Sequence, residues 1–221
     1  MKRSSIFGLF IIWGSFLRYI YPPRPTLTIH PRFLPDYENT WFAQRKYNGQ
    51  RNLIHVLQDG NVEFWGRHGK AHEYSVPSFL QKEISGLSLD KGKEYWIDSE
   101  LLHNKTSTIK DTIVIYDILF AGKLLFGVKQ LDRLHLMNKI CNVNPENEET
   151  SHLGIQVSDS VFVAKSFTSN FCNLFGQALN VPELEGLVLR NPNSKLDNLG
   201  QKEYEVSWMI RCRKEHKNYS F

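Results

Sequence analysis

Cysteine is scarce in this 221-residue chain: Cys141, Cys172 and Cys212 stand far apart and are odd in number. They can build neither a disulfide framework nor a paired CxxC zinc pattern, which points to a reducing, cytosolic compartment. Long apolar runs are scarce as well. The greasy stretch from Ile6 to Ile20 is broken by Gly8, Gly14, Ser15 and Arg18, and falls short of the about 20 clean apolar residues of a spanning helix. Lys2 and Arg3 precede it as in a signal peptide, but Tyr21-Pro22-Pro23-Arg24-Pro25 follows where a small-residue cleavage site would stand. A helix packed on the body, or a ragged extension, is expected over a membrane or export role. Residues 1–25 then read as that extension plus a stiff proline-rich connector. Neither sign of charge dominates: Lys+Arg 27 against Asp+Glu 23 gives +4, a mild excess that suits a surface approaching phosphates. Several familiar signatures are missing. There is no GxxxxGK[ST], no GxGxxG after a strand and no HExxH, and Gly69 spoils a helical metal pair between His68 and His72.

What is present is ordinary core-forming material, 41% hydrophobic and 23% charged residues, without internal repeats or a dividing linker. One domain over residues 26–221 is expected. From Trp41 onward the chain reads as short β-branched and aromatic runs broken by turns. Asn52–Leu57 and Asn61–Trp65 flank Gln58-Asp59-Gly60, a hairpin signal. Further strands are predicted at Tyr95–Leu101, Thr112–Leu119, Val161–Ser166, Gly186–Arg190 and Glu205–Arg213. Leu131, Leu134, Met137 and Ile140 mark one helix, and Phe171, Leu174, Phe175 and Leu179 a second. Strand runs with helices grouped between them predict an α+β fold with mostly antiparallel sheets.

Polar groups cluster at the ends of these runs. Lys46-Tyr47-Asn48-Gly49-Gln50-Arg51 follows the apolar Trp41-Phe42-Ala43. A lysine in such a turn is either a solvated turn residue or a nucleophilic amine, which a cation such as Arg51 would help to deprotonate. In Trp96-Ile97-Asp98-Ser99-Glu100-Leu101-Leu102 the two carboxylates share one strand face, as an ion pair or a functional pair, and need a cation nearby. Val114-Ile115-Tyr116-Asp117-Ile118-Leu119-Phe120 is core-like, with Tyr116 either packed or offering a flat face to a ligand. Glu183-Leu184-Glu185-Gly186-Leu187-Val188-Leu189-Arg190 carries a placed carboxylate at Glu185. Arg211 and Arg213, in Trp208-Met209-Ile210-Arg211-Cys212-Arg213-Lys214, share a face as an anion site or a solvated edge, with Lys214 and Lys217 beyond.

Taken in order, these segments and Phe64-Trp65-Gly66-Arg67-His68-Gly69 resemble the covalent nucleotidyltransferases: ATP-dependent DNA ligases, RNA ligases and mRNA capping enzymes. The resemblance spans about Trp41 to Lys214. Ser194, Gly200 and Trp208 also fall where ATP-dependent ligases carry Ser, Gly and Trp, which favours a ligase. The resemblance implies a nucleotidyltransferase (ATP-grasp-like) adenylation domain of antiparallel sheets flanked by helices. The family usually continues into a C-terminal oligonucleotide-binding barrel, for which the stretch after the last motif leaves no room, so a minimal, phage-like domain without it is expected.

It also implies roles. Lys46 would be the lysine that becomes adenylated. Gln44 would meet the adenine edge, Arg51 and Arg67 the ribose and phosphates, and Tyr116 the purine face. Glu100 and Glu185 would serve the ribose and a divalent metal; Arg211 and Arg213 would orient the phosphates, and Arg190 would belong to the ATP-binding set. Three departures stand out: Asn48 where DNA ligases carry Asp, Arg190 where Lys is frequent, and Arg211 and Arg213 in place of Lys-x-Lys, one residue further from Trp208 than in many ligases. Arginine keeps the charge and adds a bidentate fork, but it cannot give up its proton. The implied activity is sealing of nicked duplex nucleic acid, DNA favoured, through a lysyl-AMP intermediate with ATP and Mg²⁺, Mn²⁺ being able to replace it. An RNA ligase, or a non-catalytic nucleic-acid-binding descendant of the fold, are the alternatives. A monomer is expected, with an accessory nucleic-acid-binding protein as a candidate partner.

Overall fold

A computed structural model of the protein describes residues 19–215. Most of the apolar N-terminal stretch and Lys217 lie outside the described residues, and among those described no helix is long and apolar enough to cross a membrane. The end of the stretch is packed. Tyr19 and Ile20 are buried, and the Tyr19 ring meets Trp96 edge-on at 5.7 Å.

Two sheets carry the chain. The four-stranded sheet has the order β1 (Arg24–Thr28), β10 (Glu205–Arg213), β9 (Leu184–Arg190), β2 (Phe42–Tyr47). The six-stranded sheet has the order β4 (Val62–Gly66), β3 (Gln50–Val56), β5 (Tyr95–Leu102), β6 (Thr112–Ala121), β8 (Val161–Val163), β7 (Ile155–Gln156). Pairing is antiparallel except for β1 with β10 and β6 with β8. Helices α1 (Ser78–Ser85) and α2 (Gln130–Ile140), α3 (Phe171–Leu179) and a 3₁₀ turn at Pro31–Tyr37 complete it. This is the α+β arrangement of mostly antiparallel sheets that the strand pattern predicts.

Packing follows from where the apolar faces point. Ile54, Ile97, Ile113 and Ile115 of the larger sheet bury against Leu80 and Ile84 of α1 and Leu134 and Met137 of α2. Leu187, Leu189 and Ile210 of the smaller sheet bury against Phe171, Leu174 and Phe175 of α3. Tyr47, Leu102, Val114, Phe162 and Leu184 form a third cluster that joins the two sheets. Such burial is worth roughly 1.5–3 kcal/mol per large side chain, so the sheets are held face to face and not merely tethered.

Several local expectations change. Lys46 is the penultimate residue of β2, not part of a turn; the turn is Asn48-Gly49, where the chain crosses from the smaller sheet to the larger. The period-2 signal is absent because polar residues occupy buried places on both faces of β2, Gln44 bonded to Ser166 and Arg45 to Glu149 and Gln177. The segment from Tyr21 to Pro25 enters regular structure: β1 begins at Arg24 and runs beside β10. The strand after Ser160 is shorter than predicted and ends at Val163. Helix α1 had no usable stripe, since only Leu80 and Ile84 are buried. In α2, Leu131 is exposed and Arg133 is fully buried in its stead, drawn inward by Asp117 on β6.

Candidate active site

The sheets meet along a cavity of about 550 Å³, floored by both. Strand register sets its composition. Across the smaller sheet Lys46 pairs with Gly186 and Gly186 with Arg213, while Gln44 pairs with Val188 and Val188 with Arg211. Because side chains alternate along a strand, Gln44, Lys46, Arg211 and Arg213 all reach the cavity. Gly186 is the residue that permits this closeness. It adopts φ 136°, and a Cβ there would lie 2.1 Å from the Cys212 carbonyl oxygen. The larger sheet contributes Arg51, Glu100 and Tyr116 to the same cavity, with Arg51 opposite Glu100 in register. Gly49 lets the crossing turn pack on β5, where a Cβ would come within 2.7 Å of the Glu100 side chain.

The centre is an ionic group. Lys46 Nζ donates to Glu185 Oε2 at 2.5 Å, and an Arg213 nitrogen lies 3.3 Å from the same oxygen. Burial works against the Glu185 carboxylate, but Lys46 and then Arg213 outweigh it and hold its pKa below the usual range. Glu100 behaves in the opposite way. Burial dominates and pushes its carboxyl up to about 7, despite Lys46 and Arg51 nearby.

Arg51 does not play the part expected of it beside Lys46. Its guanidinium is held by buried Asp98, with Nε donating to Oδ1 at 2.9 Å, and also donates to the Pro23 carbonyl at 3.0 Å. Paired in this way, it is committed to Asp98, although its charge still reaches Glu100. It is the cation that the Asp98–Glu100 face needs.

The remaining residues are placed as follows. Gln44 Nε2 donates to the Ala164 carbonyl at 3.4 Å and to Ser166 Oγ at 3.3 Å. Its Oε1 is buried with no partner among the described residues, an acceptor open to an amino group. Tyr116 donates its hydroxyl to the Ser99 carbonyl at 3.0 Å, and the Arg190 guanidinium lies 5.4 Å from the centre of its ring. Arg190 is itself tied to buried Asp117 at 3.2 Å, a carboxylate that also takes both arms of Arg133. Arg67 stands at the rim, and Arg211 donates to Thr28 Oγ1 at 2.7 Å. Lys214 turns away, donating to the Val181 carbonyl. All the proposed site residues, from Gln44 to Arg213, therefore line one cavity. His68 and His72 do not converge: His72 bonds Asn52 and His68 bonds Glu203.

Sequence reasoning missed Arg133 and Lys105. Arg133 gave no signal beyond a cation one position from the apolar stripe of α2. Lys105 lies in the loop after β5 and reaches the cavity only through tertiary placement.

No family model matches the sequence, and no curated protein matches it. Solved structures do. A mycobacterial DNA ligase D complexed with ATP and MES aligns with TM-score 0.60 at 15% identity, over 90% of this chain and 62% of the other. The bacteriophage T7 ATP-dependent DNA ligase in complex with ATP aligns with TM-score 0.54 at 14% identity, over 87% and 68%. A Lig E DNA ligase aligns with TM-score 0.52 at 12% identity, over 88% and 70%. The chain thus spans about three fifths of the length of the ligase D it matches. These likenesses give the two-sheet arrangement of this chain the nucleotidyltransferase fold of ATP-dependent DNA ligase domains.

Proposed function

We propose that the protein is an ATP-dependent polynucleotide ligase that acts through a covalent lysyl-AMP intermediate on Lys46. The observation that carries this reading is the Lys46 amine 2.5 Å from Glu185 in a cavity that also holds Glu100, Tyr116, Arg67 and Arg211. A nucleophilic amine, a carboxylate to orient it, a flat ring and free cations are what transfer of a nucleotidyl group requires.

In this scheme ATP lies with its base over Tyr116 and its amino edge toward Gln44 Oε1. Lys46 loses its ammonium proton to solvent while the Glu185 carboxylate orients the amine, and Nζ bonds the α-phosphorus and sheds a second proton to solvent. The bond from that phosphorus to the bridging oxygen breaks, and pyrophosphate leaves with the electron pair. Arg211 and Arg213 face the charge that builds on the phosphate oxygens. The donor set suits a hard divalent ion: two carboxylates from different strands, one of them disfavoured as a bare anion. Glu100 and Glu185 would hold Mg²⁺ there, and when bound it supplies charge neutralisation of the triphosphate. AMP would then pass to a 5′-phosphate at a nick, and the adjoining 3′-hydroxyl would displace it.

Nicked DNA is the favoured substrate, supported by the DNA ligases that share the fold. Asn48 in place of Asp favours RNA as the second reading, and paired nicks with DNA or RNA 3′-hydroxyl strands separate the two. The direct test of the chemistry is incubation with α-labelled ATP and Mg²⁺. The expected outcome is a labelled protein with AMP mass added, absent from Lys46→Ala and much reduced in Glu185→Ala. An undiminished adduct on Lys46→Ala would remove this lysine from the mechanism.

A further inference from the structure

Nine cations and three carboxylates line the cavity. Most of the cations are already committed. Arg45 is paired with Glu149, Lys46 and Arg213 with Glu185, Arg51 with Asp98, Arg190 with Asp117 and Arg24 with Glu203. Three have no carboxylate within 4.0 Å among the described residues: Arg67, Arg211 and Lys105. The first two already have roles in the scheme above; Lys105 has none.

Lys105 is held in place by an organised loop. Thr106 is buried and donates to the His103 carbonyl at 3.3 Å, and Lys110 donates to the same carbonyl at 2.7 Å. The His103 ring stacks on Tyr74 at 3.8 Å. Thr108 donates to Glu183 at 2.7 Å, so the loop spans from the larger sheet to the residue just before β9. Lys105 is exposed at the mouth, and its charge is felt by both Glu100 and Glu185. It lines the same cavity as the two carboxylates and is open to solvent, as a group that meets a leaving pyrophosphate must be.

We infer that Lys105 is a pyrophosphate-binding residue, which grips the outer phosphates of ATP as Lys46 attacks and holds pyrophosphate in the reverse reaction. In that reverse step a pyrophosphate oxygen bonds the phosphorus of lysyl-AMP, the nitrogen–phosphorus bond breaks, ATP is released and Lys46 takes back a proton. The inference rests on the adenylation reading of the site, and the experiment separates the two. Purified adenylated protein, wild type and Lys105→Ala, is titrated with pyrophosphate and ATP release is followed. One charge-assisted contact at an exposed site corresponds to about a tenfold rise in the pyrophosphate concentration for half-maximal reversal. Lys105→Arg should recover most of it. Transfer of AMP from preformed adenylate to a nick should change little. An unchanged pyrophosphate dependence overturns the inference, as does a defect confined to nick sealing, which would make Lys105 a nucleic-acid contact. Pyrophosphate titrated against unadenylated protein, read by thermal shift, reports without any turnover. Loss of the shift in Lys105→Ala supports the subsite even if wild type forms no adduct, and an equal shift in both proteins overturns it.

Discussion

Replacing Glu100 by Gln should stabilise the protein in neutral solution while disabling it. Burial pushes the Glu100 carboxyl up to about 7 from an ordinary 4.5, against the pull of Lys46 and Arg51. The sign follows from proton counting. Between these values the unfolded chain has released the proton while the folded chain keeps it, so stability falls as pH rises from about 4.5 to about 7 and then levels off. At about 1.4 kcal/mol per pH unit the gap amounts to about 3 kcal/mol. Water reaching the half-buried side chain makes this a ceiling. Gln has no proton to lose. In urea unfolding across about pH 5 to 8.5, the stability of Glu100→Gln minus wild type should therefore widen with pH up to about 7 and hold steady above it. Self-adenylation by the variant should fall sharply at every pH, the usual exchange between stability and a strained functional group. A stability difference that stays constant with pH, or narrows, would refute the claim that burial governs this carboxyl.

Asp98→Ala should destabilise by about 3 kcal/mol in denaturant unfolding, because the buried carboxylate leaves Arg51 without its counter-charge; a loss well under 1 kcal/mol would show that solvent replaces it. Gly186→Ala should cost about 2 kcal/mol or more, since a φ of 136° is unfavourable for Ala and its Cβ would strike the Cys212 carbonyl. An unshifted melting temperature would mean the strands can part at no cost. Raising salt should suppress nick sealing well before adduct formation on the same preparation, because duplex affinity falls by about 0.9 in log K per phosphate neutralised. ATP, by contrast, binds inside a cleft. Parallel loss of both activities would place the limiting step in the nucleotide pocket.

The long β-branched and aromatic runs were legible from the chain itself. Tyr95–Leu102, Thr112–Ala121 and Glu205–Arg213 all appear as strands within a residue or two of their predicted bounds, since β-branched, aromatic and aliphatic runs between turns mark a strand, along which side chains alternate. The shared face of Asp98 and Glu100 was legible for the same reason. By contrast β2, with Gln44, Arg45 and Lys46 in succession, and α1, with only two buried residues, leave no periodic trace.

Residue order alone determined which groups exist and which strand faces they share, because alternation along a strand is a local property. That Lys46, Glu100, Glu185, Arg211 and Arg213 can serve one chemistry was legible only through resemblance to a known arrangement of motifs. Tertiary structure decided who neutralises whom. Arg51 goes to Asp98, Arg190 and Arg133 to Asp117, and Lys46 to Glu185, leaving Arg67, Arg211 and Lys105 without carboxylate partners among the described residues that line the cavity. The reason is physical. Charge pairing acts over a few ångströms between residues that lie up to 179 positions apart in the chain, so it is set by strand register and sheet packing, not by neighbours in sequence.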